Sequence, residues 1–334
     1  MSRNPGSFSA GTYLVRICIF VLIVYLTLNI DHIMVFLDEL NVGSKVQPQK
    51  KVEPFCNVTL MGQFNYISKN ITRWSTIWSE HIQDIVIATP ENTPIDNHTH
   101  GKVMFYKKDR GKKSPYSNIL KVLKERNSIN CLLYVHDDLL VTGSILRRLG
   151  RQEWISTVYT KTFFESTSES DQVITLYRNG TAFAHGSWSL DKWPWWPGCR
   201  SAFINMFTDK VVKPYLKKSK TLEDFINVRI GQSDMLYLTL SSSEQRLWLL
   251  NVFELFGKHS IFLECAIPTA VFWMKKRFQI KVYNANLCTD WGGLRGTPGL
   301  MFEHCNNESM YNVFHPIKMG LIANWTDYFN AITG

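Results

Sequence analysis

Short apolar runs alternate with polar, proline- or glycine-bearing connections over most of the chain. Trp74, Ile77, Trp78 and Ile82 recur at helical spacing and predict a helix with one apolar face. Ile85 to Pro90, headed by Asp84, predicts a short buried strand, and Val103 to Tyr106 a second. A basic amphipathic helix is expected over Asn118 to Arg126, with Pro115 just ahead of it. Cys131 to Val135 is long enough for a third buried strand, and a helical turn follows over Ser144 to Leu149. Strands are also expected over Glu153 to Tyr159, Gln172 to Tyr177 and Phe278 to Tyr283. Ala202 to Leu216 and Leu247 to Phe256 read as helices, and another starts over Leu222 to Ile226. Ile261 to Met274 is apolar but interrupted by Glu264 and Pro268, so it reads as a core helix or a pair of strands. From Cys288 onward the chain is glycine-rich and loop-like. Strands alternating with helices predict an α/β fold with a mixed, mainly parallel sheet flanked by helices.

The amino terminus breaks this pattern. Residues 13–30 are largely apolar, with Arg16 the one charge, and their length is near the minimum for a bilayer span. Arg3 and Arg16 lie on the amino-terminal side, and Asp31, Asp38 and Glu39 lie beyond. That asymmetry predicts a short cytoplasmic tail (1–12), a transmembrane signal anchor (13–30) and a lumenal body. A cleaved signal peptide is the competing reading, but no small-residue cleavage site follows Leu28. Residues 31–55 read as a stem, and 56–334 as the lumenal domain.

Composition sharpens the compartment and the partners. The net charge of +9 favours acidic partners, while the anchor argues for membrane and lumen and against nucleic acid. Six N-x-S/T sequons follow the anchor, at Asn57, Asn70, Asn97, Asn179, Asn307 and Asn324. Of seven cysteines, six lie beyond the anchor, an even number suited to disulfides in an oxidising compartment. Cys131 and Cys265, inside apolar runs, could equally be buried thiols.

Candidate chemistry concentrates at His136-Asp137-Asp138, directly after the third strand. Two carboxylates and an imidazole there are costly to desolvate unless paired, and a divalent cation or a metal-bound diphosphate would pair them. A surface turn with two solvated aspartates would give the same residues. The late segment His315-Pro-Ile-Lys318 offers one more ligand nitrogen and a phosphate-pairing cation. Asp234, ahead of an apolar run, is either a general base for an acceptor hydroxyl or a helix N-cap; Glu264 is the rival base. Trp188 to Trp196 carries four tryptophans; Trp193, Trp195 and Trp196 suit stacking on sugar rings, or else a packed lid. Thr89 to Asn92, at the end of a predicted parallel strand, lies where such sheets bind ligands. ATP-loop and dinucleotide fingerprints are absent from the sequence, and Gly111-Lys-Lys-Ser114 only faintly suggests a phosphate loop of the sulfotransferase kind.

An anchor, a stem, a lumenal α/β domain and an aspartate pair after a core strand resemble type II Golgi glycosyltransferases with a GT-A-like fold. Leu132 to Leu140 is similar to their Asp-x-Asp region, with the aspartates adjacent here. His315-Pro-Ile-Lys318 is similar to the late His and Lys of glycogenin-like members. The resemblance implies that Asp137, Asp138 and His315 hold manganese (or magnesium). It further implies that Lys318 touches the diphosphate of a nucleotide-diphosphate sugar whose sugar passes to a glycan acceptor; Thr89 to Asn92, from their place at a strand end, would lie near the nucleotide. Only about 50 residues separate the first strong strand from the aspartates, short for a nucleotide-binding half. A non-catalytic glycan-binding or assembly protein retaining the fold, and a carbohydrate sulfotransferase, are the alternatives.

Overall fold

The first strand forms where the apolar pattern is weakest. β1 (Val58–Gln63) contains Thr59, Gly62 and Gln63, yet every residue after Val58 is buried, as a central strand covered on both faces requires. Gly62 permits the close approach of α1 (Ile71–Ser79), because a Cβ there would run into the Trp74 indole. The computed structural model describes residues 55–65, 70–107, 114–162, 172–177, 182–185, 198–208, 225–231, 233–289, 312–317, 322 and 324–333. These residues belong to one unit, Pro54–Gly334.

Next come β2 (Asp84–Pro90), β3 (Lys102–Tyr106), α2 (Ser114–Glu125) and β4 (Cys131–His136). β5 (Leu140–Val141), α3 (Gly143–Leu146), β6 (Trp154–Thr162), β7 (Gln172–Tyr177) and β8 (Ala182–His185) lead to α4 (Cys199–Thr208). β9 (Phe225–Ile230), β10 (Met235–Thr239), α5 (Ser243–Lys258), α6 (Leu263–Phe278), β11 (Val282–Thr289), β12 (Val313–His315) and α7 (Trp325–Thr333) complete the order.

Nine strands form one sheet in the order β3-β2-β1-β4-β10-β6-β11-β12-β5, and β8-β7-β9 form a second. β1, β2, β3 and β4 are mutually parallel, as are β6, β11 and β12. β10 runs antiparallel to both β4 and β6, and β5 antiparallel to β12. The order 3-2-1-4 is that of one half of a doubly wound sheet, with its reversal between β1 and β4. Because β10 is inverted, its amino end lies beside the carboxyl end of β4.

Alternate residues of the central strands face two separate cores. Met61, Leu132, Leu236 and Leu238 pack with residues of α2, α4, α5 and α6, including Tyr116, Phe203, Phe253 and Phe256. Leu60, Leu133, Val135, Met235 and Tyr237 pack with Trp74, Trp78 and Tyr328 from α1 and α7. The mixed, mainly parallel sheet with helices on both faces is therefore the architecture expected from the alternation of runs.

Several expectations change. Leu222 to Ile226 does not start a helix: Phe225–Ile230 is β9, where β-branched Ile226, Val228 and Ile230 suit pairing with β7. The strand expected from Phe278 begins instead at Val282, because α6 runs on to Phe278 and stops at Gln279, which is left-handed at φ 53°. Its last turn, Lys275-Lys276-Arg277, suits the negative end of the helix dipole. Ile261 to Met274 resolves as that helix, with Pro268 inside it. Cys131 and Cys265 are not thiols; they pair with Cys56 and Cys199, and Cys288 is disulfide-bonded too. With β1 at Val58, the half of the sheet preceding the aspartates holds a strand more than the apolar runs suggested.

Among the described residues no helix is long and apolar enough to cross a membrane. The expected anchor (13–30), the body of the stem and the tryptophan loop lie outside the described residues.

Candidate metal centre

The carboxyl ends of β1 and β4 hold the aspartates in place through their backbone. Gln63 and His136 are paired in register, and the next two donors are taken in turn. His136 N–H donates to the Asp234 carbonyl at 2.8 Å, and Asp137 N–H donates to the Gln63 carbonyl at 2.8 Å. Leu139 N–H then donates back to the His136 carbonyl at 3.2 Å, closing a turn around the two aspartates. Leu139, Leu140 and Val141 are buried, so the chain re-enters the core at once. A solvated surface turn does not fit: His136 is 7% and Asp138 9% exposed.

Two imidazoles converge on Asp138, and each faces a second carboxylate. Its Oδ1 lies 2.7 Å from His136 Nδ1 and 3.4 Å from His315 Nε2. His136 Nδ1 is also 3.0 Å from Asp137 Oδ1, and His315 Nε2 is 3.3 Å from Asp234 Oδ2. His315 arrives at the end of β12, and the Asp138 carbonyl accepts from Ile317 N–H at 2.5 Å. Asp234 heads a strand and not a helix, so it is no N-cap. Three stretches distant in sequence thus place three carboxylates and two imidazoles together.

The electrostatics follow from that packing. Burial lowers the His136 and His315 pKa values, but the facing carboxylates outweigh it and hold both above the ordinary imidazole range, Asp138 foremost in each case. Burial would raise Asp138; the His315 and His136 imidazoles instead hold its carboxyl well below the usual range. Tyr134, buried on β4 and facing Asp234, Asp138 and Asp137, has its phenol pushed well up, by burial first. The shifts of His136, His315 and Asp138 share one cause, the attraction between the two imidazoles and the carboxylates they face.

A divalent cation fits the same donors. Two atoms bonded to one such ion at about 2.1 Å lie roughly 3 Å apart, the spacing found between these nitrogens and oxygens. His136, Asp137 and Asp138 offer one ligand atom each, all within 4.8 Å of one another. Mixed imidazole and carboxylate donors suit a divalent metal ion. Among the described residues, the buried Tyr134 and Ser233 hydroxyls, the latter next to Asp234, have no hydrogen-bond partner, which leaves two polar groups near the cluster open to a further ligand.

The surroundings brace the first ring of residues. Asn65 Nδ2 lies 2.7 Å from His136 Nε2, and Tyr106 Oη donates to the Phe64 carbonyl at 2.5 Å. Asn118 Nδ2 donates to Gln63 Oε1 at 2.9 Å, tying α2 to the end of β1. Sequence reasoning missed Gln63, Asn65 and Asn118, and the only signal for them was their place at strand and helix ends.

Other expected residues are scattered. Thr89 is buried at the end of β2 and donates to Thr93 Oγ1 at 2.9 Å, so its hydroxyl is used within its own turn. Asn92 is exposed in that turn, with a left-handed φ of 66°. Glu264 sits half-buried in the first turn of α6, on another element than the cluster. Because Pro268 has no N–H, the carbonyl of Glu264 four residues earlier is released, and Gly231 N–H takes it at 2.9 Å. That bond anchors the backbone three residues ahead of Asp234. Lys318, Trp193, Trp195, Trp196 and the sequons Asn179 and Asn307 lie outside the described residues. Asn57, Asn97 and Asn324 are exposed, and Asn70 is half-buried ahead of α1.

The chain matches no protein-family model and no curated protein.

Proposed function

We propose that this chain is a metal-dependent glycosyltransferase with a GT-A-like fold, moving a sugar from a nucleotide-diphosphate sugar to a glycan or glycoconjugate acceptor. The observation that carries the reading is the meeting of Asp137, Asp138, His315 and Asp234 at the sheet reversal beside β1, where open α/β sheets bind nucleotides. Asp137 and Asp138 would hold manganese (or magnesium) together with His136, the imidazole nearest both carboxylates, and His315, which approaches Asp138, would be the further ligand. A bound cation would neutralise charge developing on the departing diphosphate. Asn65 orients His136, and the backbone bonds from Gln63 and Asp234 keep the aspartates from swinging out. Asp234, whose Oδ2 lies 3.3 Å from His315 Nε2, would serve as the base that takes a proton from an acceptor hydroxyl. The disulfides suit an oxidising compartment, in keeping with a type II Golgi membrane protein whose catalytic domain is lumenal.

One observation favours a second reading. His136 and His315 already satisfy the carboxylates without any metal, so a glycan-binding or assembly protein could keep this cluster as a purely structural device. The two are separated by incubating the protein with a panel of nucleotide sugars and manganese. The expected outcome is manganese-dependent turnover that falls about 100-fold or more in Asp138→Asn. Normal turnover in that variant overturns the assignment. Neither turnover nor manganese stabilisation in the wild type leaves the structural reading standing.

A further inference from the structure

At the end of the sheet opposite the metal centre, the amino ends of β1 and β2 border a cavity of about 700 Å³. Asn57, His81, Gln83 and Asp84 line it on the strand side, and Leu146 and Leu149 line it from α3 and the turn beyond. Asn57 is exposed and begins the sequon Asn57-Val58-Thr59. We propose that Asn57 carries an N-linked glycan whose first sugars are seated in this cavity.

Four observations point the same way. The volume falls in the range of pockets that enclose drug-sized ligands, which is the scale of two sugar rings. The lining is mixed: Ile82, Leu146 and Leu149 offer apolar surface for the C–H faces and acetamido methyl groups of N-acetylhexosamines. Exposed His81 and Gln83 offer partners for their hydroxyls. Cys56, itself part of the wall, is tied by a disulfide to Cys131 on β4, so the attachment point is fixed relative to the cavity. A preorganised linkage loses little freedom when its sugar docks. Disulfides form in the compartment where asparagine-linked glycans are attached.

The structure also dictates when attachment happens. Thr59 is buried and its hydroxyl donates to Asp84 Oδ2 at 2.5 Å, so the folded sequon is closed to a transferase. Modification therefore precedes the pairing of β1 with β2. In that step a bond forms between Asn57 Nδ2 and C1 of the first sugar of a lipid-linked oligosaccharide diphosphate. The C1–O bond to the diphosphate breaks, and one amide proton leaves. Folding then closes the cavity walls around a glycan already in place. None of this depends on the metal centre.

The test uses the full chain expressed in a secretion-competent eukaryotic host and purified in detergent. Glycopeptide mass spectrometry reads occupancy at Asn57, and peptide-N-glycosidase release is timed on native and denatured protein. Wild type is compared with a His81→Ala/Gln83→Ala variant, in which both altered residues are exposed and the fold is kept. The expected result is an occupied Asn57 whose release from native wild type is about 10-fold slower than from the variant, with equal rates after denaturation. An unmodified Asn57, or equal native rates, overturns the proposal.

Discussion

At Asp138 Oδ1 one imidazole nitrogen arrives from its own strand end and another from β12, at 2.7 and 3.4 Å. The consequence for pH has a definite sign. His136 and His315 have folded pKa values raised above the ordinary 6.5, so their contribution to stability is complete below about pH 6.5 and is lost as pH rises through the raised values. Asp138 is held below the ordinary 3.8, so its contribution is present above that value and is lost as pH falls through the lowered one. Metal-free protein, kept in chelator, should therefore unfold at progressively lower temperature as pH is raised from about 6 to 9. A bound cation replaces the imidazole protons, so manganese should raise the melting temperature more at about pH 8 than at pH 6. Scanning calorimetry across that range checks both, and an alkaline limb that is flat in chelator would contradict the cluster described here. Of these residues, the aspartates were legible because charge directly after an apolar run is costly to bury. His315 was legible only as a candidate ligand nitrogen in a late segment, since nothing local to it says which carboxylate it meets.

Among the elements, the strands with continuous apolar runs, Asp84–Pro90 and Cys131–His136, could be read directly. β1 could not, because a strand buried on both faces needs no alternation and its Thr59, Gly62 and Gln63 serve contacts that sequence does not display. Gly62 answers to the Trp74 ring; Gln63 answers to Asn118 and to the backbone of Asp137. Gly62→Ala should cost about 1–3 kcal/mol, since the added methyl meets a rigid buried indole and one of the two must shift. Because β1 also holds Asp137, the same variant should weaken manganese stabilisation as well as lower the urea midpoint. A variant of full stability would show that α1 can back away from the sheet. Asp234 was ambiguous for a related reason: a polar residue ahead of an apolar run starts a helix or a strand equally well. The inversion of β10 decided the matter, because pairing with β4 brings the amino end of β10 to the aspartates.

For the whole molecule, the cross-links are long-range. Cys56–Cys131 spans 75 residues and joins the approach to β1 with the start of β4, the two strands that carry the centre at their other ends. In the chain-entropy account a loop of that length restricts the unfolded chain by about 4 kcal/mol. Replacing both cysteines by alanine should lower stability by about 2–5 kcal/mol while leaving the cluster geometry intact in the molecules that fold. Denaturant titration, with manganese binding measured on the folded fraction, separates the two effects. Cys199–Cys265 ties α4 to α6 and secures the core on the other face of the sheet. The α/β class was legible from the alternation of runs, but the order of strands was not, since pairing partners as far apart in sequence as Leu140 and Phe314 leave no local mark.

The cluster is assembled from residues 136–138, 234 and 315, so a growing chain acquires its carboxylates well before the last imidazole. Until β12 emerges from the ribosome and pairs with β11, Asp138 and Asp234 lack the His315 counter-charge, and the sheet beside β4 is asked to close over unbalanced acids. Vectorial synthesis thus leaves the amino-terminal half waiting for a few late residues, and a chain stopped ahead of Val313 would be a natural client for quality control.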